Sequence, residues 1–125
     1  MAKERVVRIR ERDEQQAVVE WFRLRYRDEL IFAIPNGGSR SPVEAYYMRL
    51  GGLLAGAPDL CVPCPKTPWH GLYVEMKAID GRLSTVQANF INRLNAKGYL
   101  AVVCFGFEDA VSKITAYMES GKNAR

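Results

Sequence analysis

The segment GLYVEMKA, residues 71–78, constrains the fold more than any other stretch of the chain. Side chains along a strand point alternately to opposite faces. Leu72, Val74, Met76 and Ala78 therefore form an apolar face, while Tyr73, Glu75 and Lys77 form the other. Such a strand fits a sheet with one dry and one wet face, on which a Glu–Lys pair is simply solvated. It also fits a sheet whose polar face handles a phosphodiester. Taken alone, the segment allows both.

The neighbouring segments build an α/β domain around this strand. Residues 13–27 repeat apolar side chains at Val18, Trp21, Phe22 and Leu24 between charges, which predicts an amphipathic helix. LIFAI reads as a short strand, ended by the turn chemistry of PNGGS. Ser41, Pro42 and Glu44 open a second helix with an N-cap, a first-turn proline and a capping box, and Gly51–Gly52 stop it. A strand over 59–62 follows, then a proline-rich loop, the strand at 71–78 and the turn DGR. Ser84 and Gln87 make a second capping box for a helix reaching about residue 97, which Gly98 ends. LAVVCF is apolar almost throughout, as expected of a strand buried on both faces. A helix over 108–119 closes the domain. The order α-β-α-β-β-α-β-α predicts a small mixed four-stranded sheet flanked by helices.

A chain of 125 residues makes one domain with its own core. Its net charge of +4 leans toward an acidic partner, and the basic residues gather at the start. Residues 1–10 carry Lys3, Arg5, Arg8 and Arg10 against Glu4, a basic arm expected to be flexible, either solvated or laid on phosphates. No apolar run approaches the roughly 20 residues that span a bilayer, and the N-terminus lacks the apolar core of a secretory signal. The three cysteines, an odd number, fit a reducing compartment, so the expected location is the cytoplasm.

Asp59 begins one strand, and Glu75 lies in the next. If these strands form a hairpin, the two carboxylates converge beside Lys77. Two carboxylates with nearby backbone carbonyls make the hard, oxygen-rich site that Mg²⁺ prefers. A metal there offsets charge on a phosphoryl oxygen, and Lys77 supplies a compact cation for the attacking water or the crowded phosphorus. In NGGSR two glycines allow close backbone approach, so that Asn36, Ser39 and Arg40 either contact phosphate or form an ordinary strand-to-helix turn. Arg49, Lys66 and Arg82 are further phosphate-contact candidates. His70, the only histidine, is either a substrate contact or structural.

Pro58-Asp59 and Glu75-Met76-Lys77 together match the PD-(D/E)XK nuclease pattern. The wider text is more specific. IPNGGSR, EAYYMRLGGLLAGAPDL, HGLYVEMK, GRLSTVQ and KGYLAVVCFGFEDAVSKI resemble the virus-type replication-repair nuclease (VRR-NUC) domain in its short stand-alone phage form, over about residues 11–118. The resemblance implies a restriction-endonuclease-like core and a Mg²⁺- or Mn²⁺-dependent DNA endonuclease. It also implies a homodimer acting on branched DNA such as Holliday junctions. Asp59, Glu75 and the Met76 carbonyl would be metal ligands, and Lys77 the catalytic lysine. It further implies an acid on the first helix, Glu14 ahead of Glu11, and a glutamine at the margin of the site, Gln87. The alternative for the acids is to complement the helix dipole, and for Gln87 to serve only its capping box.

A rival class rests on Cys61 and Cys64, spaced as a metal-binding pair, with Cys104 and His70 completing four ligands of a zinc-binding DNA-binding module. Against it, Cys61 and Cys104 lie inside apolar strands, where cysteine acts as a small hydrophobe. The same residues also allow a catalytically inactive DNA-binding domain, or a nuclease of this fold that cuts flaps or linear duplex.

Overall fold

The computed structural model describes residues 2–36 and 41–121, with side chains from residue 11 onward. The elements follow the expected order: α1 Ala2–Arg25, β1 Phe32–Ala33, α2 Pro42–Leu50, β2 Leu60–Val62, β3 Leu72–Lys77, α3 Thr85–Ala96, β4 Leu100–Phe105 and α4 Phe107–Met118. Among the described residues, no helix is long and apolar enough to cross a membrane.

α1 starts much earlier than residue 13, so residues 2–10 continue the helix rather than form a separate arm. Residues 3–13 contain no glycine or proline and are rich in Lys, Arg and Glu, which favour helix, although the apolar stripe that marks the packed part begins only at Val18. Both serine caps form. Ser41 Oγ accepts the Glu44 N–H at 3.1 Å, and Ser84 Oγ accepts the Gln87 N–H at 3.1 Å. In α3 the reciprocal arm closes as well, with Gln87 Oε1 accepting the Ser84 N–H at 2.9 Å.

The sheet runs β1-β2-β3-β4, antiparallel except for the parallel β3–β4 pair that α3 connects. One face of the sheet, carrying Leu60, Val62, Leu72, Val74, Met76 and Cys104, packs on Val18 and Phe22 of α1 and on Ala110, Ile114 and Tyr117 of α4. This is the core that the even-numbered side of β3 announces. The opposite face carries Cys61, Tyr73, Glu75 and Lys77 toward α3.

β4 is an edge strand. Its apolar composition follows from having α3 and α4 on its two faces, but among the described residues its outer backbone has no partner strand. Side chains close that edge instead. Asn95 Oδ1 accepts the Ala101 N–H at 2.8 Å, Lys113 Nζ donates to the Val103 carbonyl at 2.6 Å, and Asp109 Oδ2 accepts the Phe105 N–H at 2.8 Å. An open strand edge templates unwanted pairing, and polar side chains placed this way prevent it.

Candidate active site

The β2–β3 pairing brings the two acids together. The register ends with Leu60 opposite Val74; the chain bends at Asp59, whose carboxylate reaches the Met76 N–H and so lies beside the Glu75 carboxyl. Asp59 is held twice. Its backbone carbonyl accepts the Ile34 N–H at 2.8 Å, and its Oδ2 accepts the Met76 N–H at 2.7 Å. Lys77, two residues along β3 from Glu75, places Nζ 3.9 Å from Glu75 Oε2. Gln87 reaches the same oxygen from α3, donating through Nε2 at 3.2 Å. Gln87 thus closes the capping box with its oxygen and holds the Glu75 carboxylate with its nitrogen.

Glu75 is only 4% exposed, a charged residue buried among apolar ones. Burial pushes its pKa up to about 8, helped by the adjacent Asp59 charge and opposed by Lys77. Burial also raises Asp59, against which the Met76 N–H and Lys77 favour its ionised form. Two carboxyls that close cannot both ionise cheaply, so burial and the neighbouring charge favour the neutral form of Glu75, a cost that a cation between the two would relieve.

The first-helix acids separate. Glu14, the acid expected ahead of Glu11, accepts the Phe107 N–H and so caps α4, whose N-cap is Gly106, a residue with no side chain to do it. Glu11 accepts the Ala78 N–H at 3.5 Å, and its charge acts on both Asp59 and Glu75. One turn of α1 thus carries an acid that caps a helix and another that faces the site, a distinction of helix placement that sequence spacing does not carry.

The family model of the VRR-NUC domain matches residues 1–108. The chain belongs to the VRR-NUC family. A solved structure described as a VRR_NUC domain protein superposes with a TM-score of 0.75, at 27% identity over 90% of each chain. No curated protein matches the chain. Membership of the VRR-NUC family gives the chain a nuclease-type function with DNA as its substrate class, and the mixed sheet with its flanking helices is the family's restriction-endonuclease-like fold.

The remaining candidates on this VRR-NUC domain scatter. Ser39 and Arg40 lie outside the described residues. Asn36 and Arg49 line one small cavity beside α2, and Arg82 lies in the turn that leads from β3 to α3. His70 sits before the other end of β3, roughly 17 Å of extended chain from Glu75. There its ring meets Tyr99 edge-on, 5.5 Å between centroids, and its backbone N–H bonds the Gly98 carbonyl at 2.8 Å. It braces the β3–β4 end instead of facing the acids. A cavity of about 700 Å³ is also off the carboxylates: it is an apolar trough lined by Met48, Leu54, Phe90 and Leu94, with Pro58 and Tyr73 on its wall.

Among the described residues, no three His, Cys, Asp or Glu side chains converge as a metal cluster. Cys61, Cys64 and Cys104 are buried free thiols, and burial raises all three, so they sit as small hydrophobes. A cation at Asp59 and Glu75 would take two carboxylates and complete its shell with backbone oxygen and water, the pattern of Mg²⁺ rather than of zinc. The donor set fits a hard divalent ion.

Proposed function

We propose that this VRR-NUC domain is a Mg²⁺-dependent endodeoxyribonuclease, with Mn²⁺ able to substitute, that acts as a homodimer on branched DNA such as Holliday junctions. The observation that carries the enzymatic part is the meeting of Asp59, Glu75 and Lys77 at the end of the β2–β3 pair.

Asp59 and Glu75, with the Met76 carbonyl, would hold the ion, whose charge stabilises the phosphoryl oxygens and makes a water more acidic. Asp59 is fixed by the Met76 N–H before any ion arrives, so little reorganisation is needed. Gln87 orients Glu75, and Lys77 favours its ionised form. Lys77 Nζ, beside Glu75, is placed to hold the attacking water or a non-bridging phosphate oxygen. Glu11 adds a carboxylate at the end of β3 that can hold a further water. Arg82, Arg49 and Asn36, with Ser39 and Arg40, would contact the DNA backbone and so position the duplex without reading its sequence.

α2 supports the dimer. It buries no residue of its own, and Val43, Tyr46, Tyr47 and Leu50 are all exposed on or around one short helix. A nine-residue helix with no buried face is marginal by itself, and an exposed aromatic and aliphatic patch of this kind marks an interface. Two related active sites would then cut two strands of one junction.

The test is a panel of four-way junction, flap, splayed duplex, linear duplex and single strand, each with Mg²⁺ and with EDTA. Metal-dependent cutting concentrated on the junction is expected. Equal cutting of every substrate would remove the junction preference and keep the nuclease, and undiminished cutting in EDTA would remove the metal.

A further inference from the structure

We propose that Gly56 is a positioning residue for the reaction: its bare backbone sets the first turn of α3, and with it Gln87, against Glu75. The inference rests on the nuclease reading above and names what keeps the partner of that acid in place.

Gly56 lies in the loop that leads from α2 to Asp59. The Ala57 N–H closes a turn on the Leu54 carbonyl at 3.3 Å, and Gly56 occupies the third position of that turn with φ +87°. A positive φ there favours glycine whatever surrounds it. The surroundings add a separate demand. A Cβ at position 56 would lie 2.6 Å from Val86 Cγ1 and 2.8 Å from the Val86 carbonyl oxygen, closer than non-bonded atoms approach. The loop backbone therefore rests on the backbone of α3, one residue before Gln87.

The two sides of this contact are not equally firm. On the loop side Pro58 is fully buried, and Asp59 is tied through its carbonyl to the Ile34 N–H at 2.8 Å and through Oδ2 to the Met76 N–H at 2.7 Å. On the helix side Ser84, Thr85 and Val86 are exposed, and among the described residues of α3 Ile91 alone is buried, more than a turn further on. The capping box fixes the shape of the first turn, not its place beside the sheet. Two contacts tie that turn to the site: the Gly56 backbone, and the Gln87 Nε2 bond to Glu75 Oε2. At 3.2 Å this bond already stands at the long end of the hydrogen-bond range. A side chain at position 56 thus displaces the start of α3 rather than the loop, and the Gln87–Glu75 bond is the one to part. Glu75 loses the donor that orients it, while Asp59 keeps its own.

Gly56→Ala in the full chain is expected to slow single-turnover cleavage as far as Gln87→Ala does, about 10- to 100-fold, the range for groups that orient a metal ligand. The double variant should be no slower than either, because both changes remove the same bond. In metal-free, isotopically labelled protein the Gln87 side-chain amide signals of Gly56→Ala should move toward those of a free glutamine. Gly52→Ala is the control. Gly52 has φ +113°, and among the described residues a Cβ there meets nothing within 4 Å, so the variant carries the backbone strain without the contact and should keep the wild-type rate and amide signals. Should Gly56→Ala fold poorly, Gly56→Asn presents the same Cβ from a residue type that tolerates positive φ. A folded Ala or Asn variant with the wild-type rate, or rate losses that multiply in the double variant, would overturn the inference. Unfolding of both variants would overturn it too, since the contact would then hold the fold rather than the site. If the wild type cuts no DNA, the nuclease reading fails on its own, and unchanged Gln87 amide signals in Gly56→Ala would then be the result that overturns the placement of Gln87 by Gly56.

Discussion

Val74 and Glu75 are neighbours on one strand, both almost completely withdrawn from solvent, yet they live on opposite faces with opposite consequences. Val74 meets α1 and α4 in a core where burial of apolar surface stabilises the fold, at about 25 cal/mol per Å². Glu75 meets Asp59, Lys77 and Gln87, and burial there destabilises its charged form. One face makes the domain stable and the other makes it reactive. The strand between them transmits the rigidity of the first to the second, which is what a site needing fixed ligands requires.

Breaking each face should therefore give opposite signatures. Phe22 is fully buried against the sheet and packs its ring on Tyr26, 5.1 Å between centroids. Phe22→Ala should lower unfolding free energy by about 3–5 kcal/mol, read from urea denaturation, and lose activity only through unfolding. On the other face, Lys77→Ala should cut the cleavage rate at least about 10²-fold, with thermal unfolding and DNA binding nearly unchanged. Full turnover in that variant would remove Lys77 from the mechanism.

Glu75→Gln sharpens the contrast because it should damage function while improving metal-free stability. The Glu75 pKa stands at about 8 in the fold against an ordinary 4.5, so the folded state holds a proton that the unfolded state releases. Where the native state binds more protons, stability falls as pH rises. Denaturation in EDTA should thus show wild type losing stability between pH 4.5 and pH 8, through the window set by those two values. Glu75→Gln, with nothing to ionise there, should lose much of that slope and be the more stable protein at the alkaline end. A wild-type stability that rises across this range would contradict the assignment of the proton.

Gln87 belongs to both faces of the comparison, holding a helix with its oxygen and a carboxylate with its nitrogen. Gln87→Ala should reduce stability by about 1 kcal/mol through the lost cap and slow cleavage as well. Gln87→Glu keeps the accepting oxygen but has no N–H for Glu75, so it should retain more of the helix and lose the rate. The smallest effect is expected at His70. Being at the far end of β3, His70→Ala should leave the chemical step unchanged, as single-turnover cleavage can check.

The two faces are legible in the sequence to different degrees. Period-two alternation in GLYVEMKA and the serine caps at Ser41 and Ser84 announce the strand and helices because those signals are local. Asp59, Glu75 and Lys77 are legible because a hairpin converts sequence spacing into proximity. Decisions made between distant segments are not. Glu11 and Glu14 sit on one helical face with the same local chemistry, and only the packing of α1 against the start of α4 and the end of β3 sets one at a cap and the other toward the acids. β4 reads as central because both its faces are covered, while its edge is closed by Asn95, Asp109 and Lys113, whose role no periodicity records. α2 carries a sound N-cap but no sign of how little of it the fold covers.

The nuclease chemistry proposed for this domain requires one divalent ion held by Asp59 and Glu75 where β2 and β3 diverge. Titrating Mn²⁺ into isotopically labelled protein and following paramagnetic broadening of backbone amides locates that ion directly. Broadening should appear first at Asp59, Glu75, Met76 and Lys77 and vanish in Asp59→Asn. Early broadening around Cys61, Cys64 and His70 instead, or none at any of these amides, would contradict it.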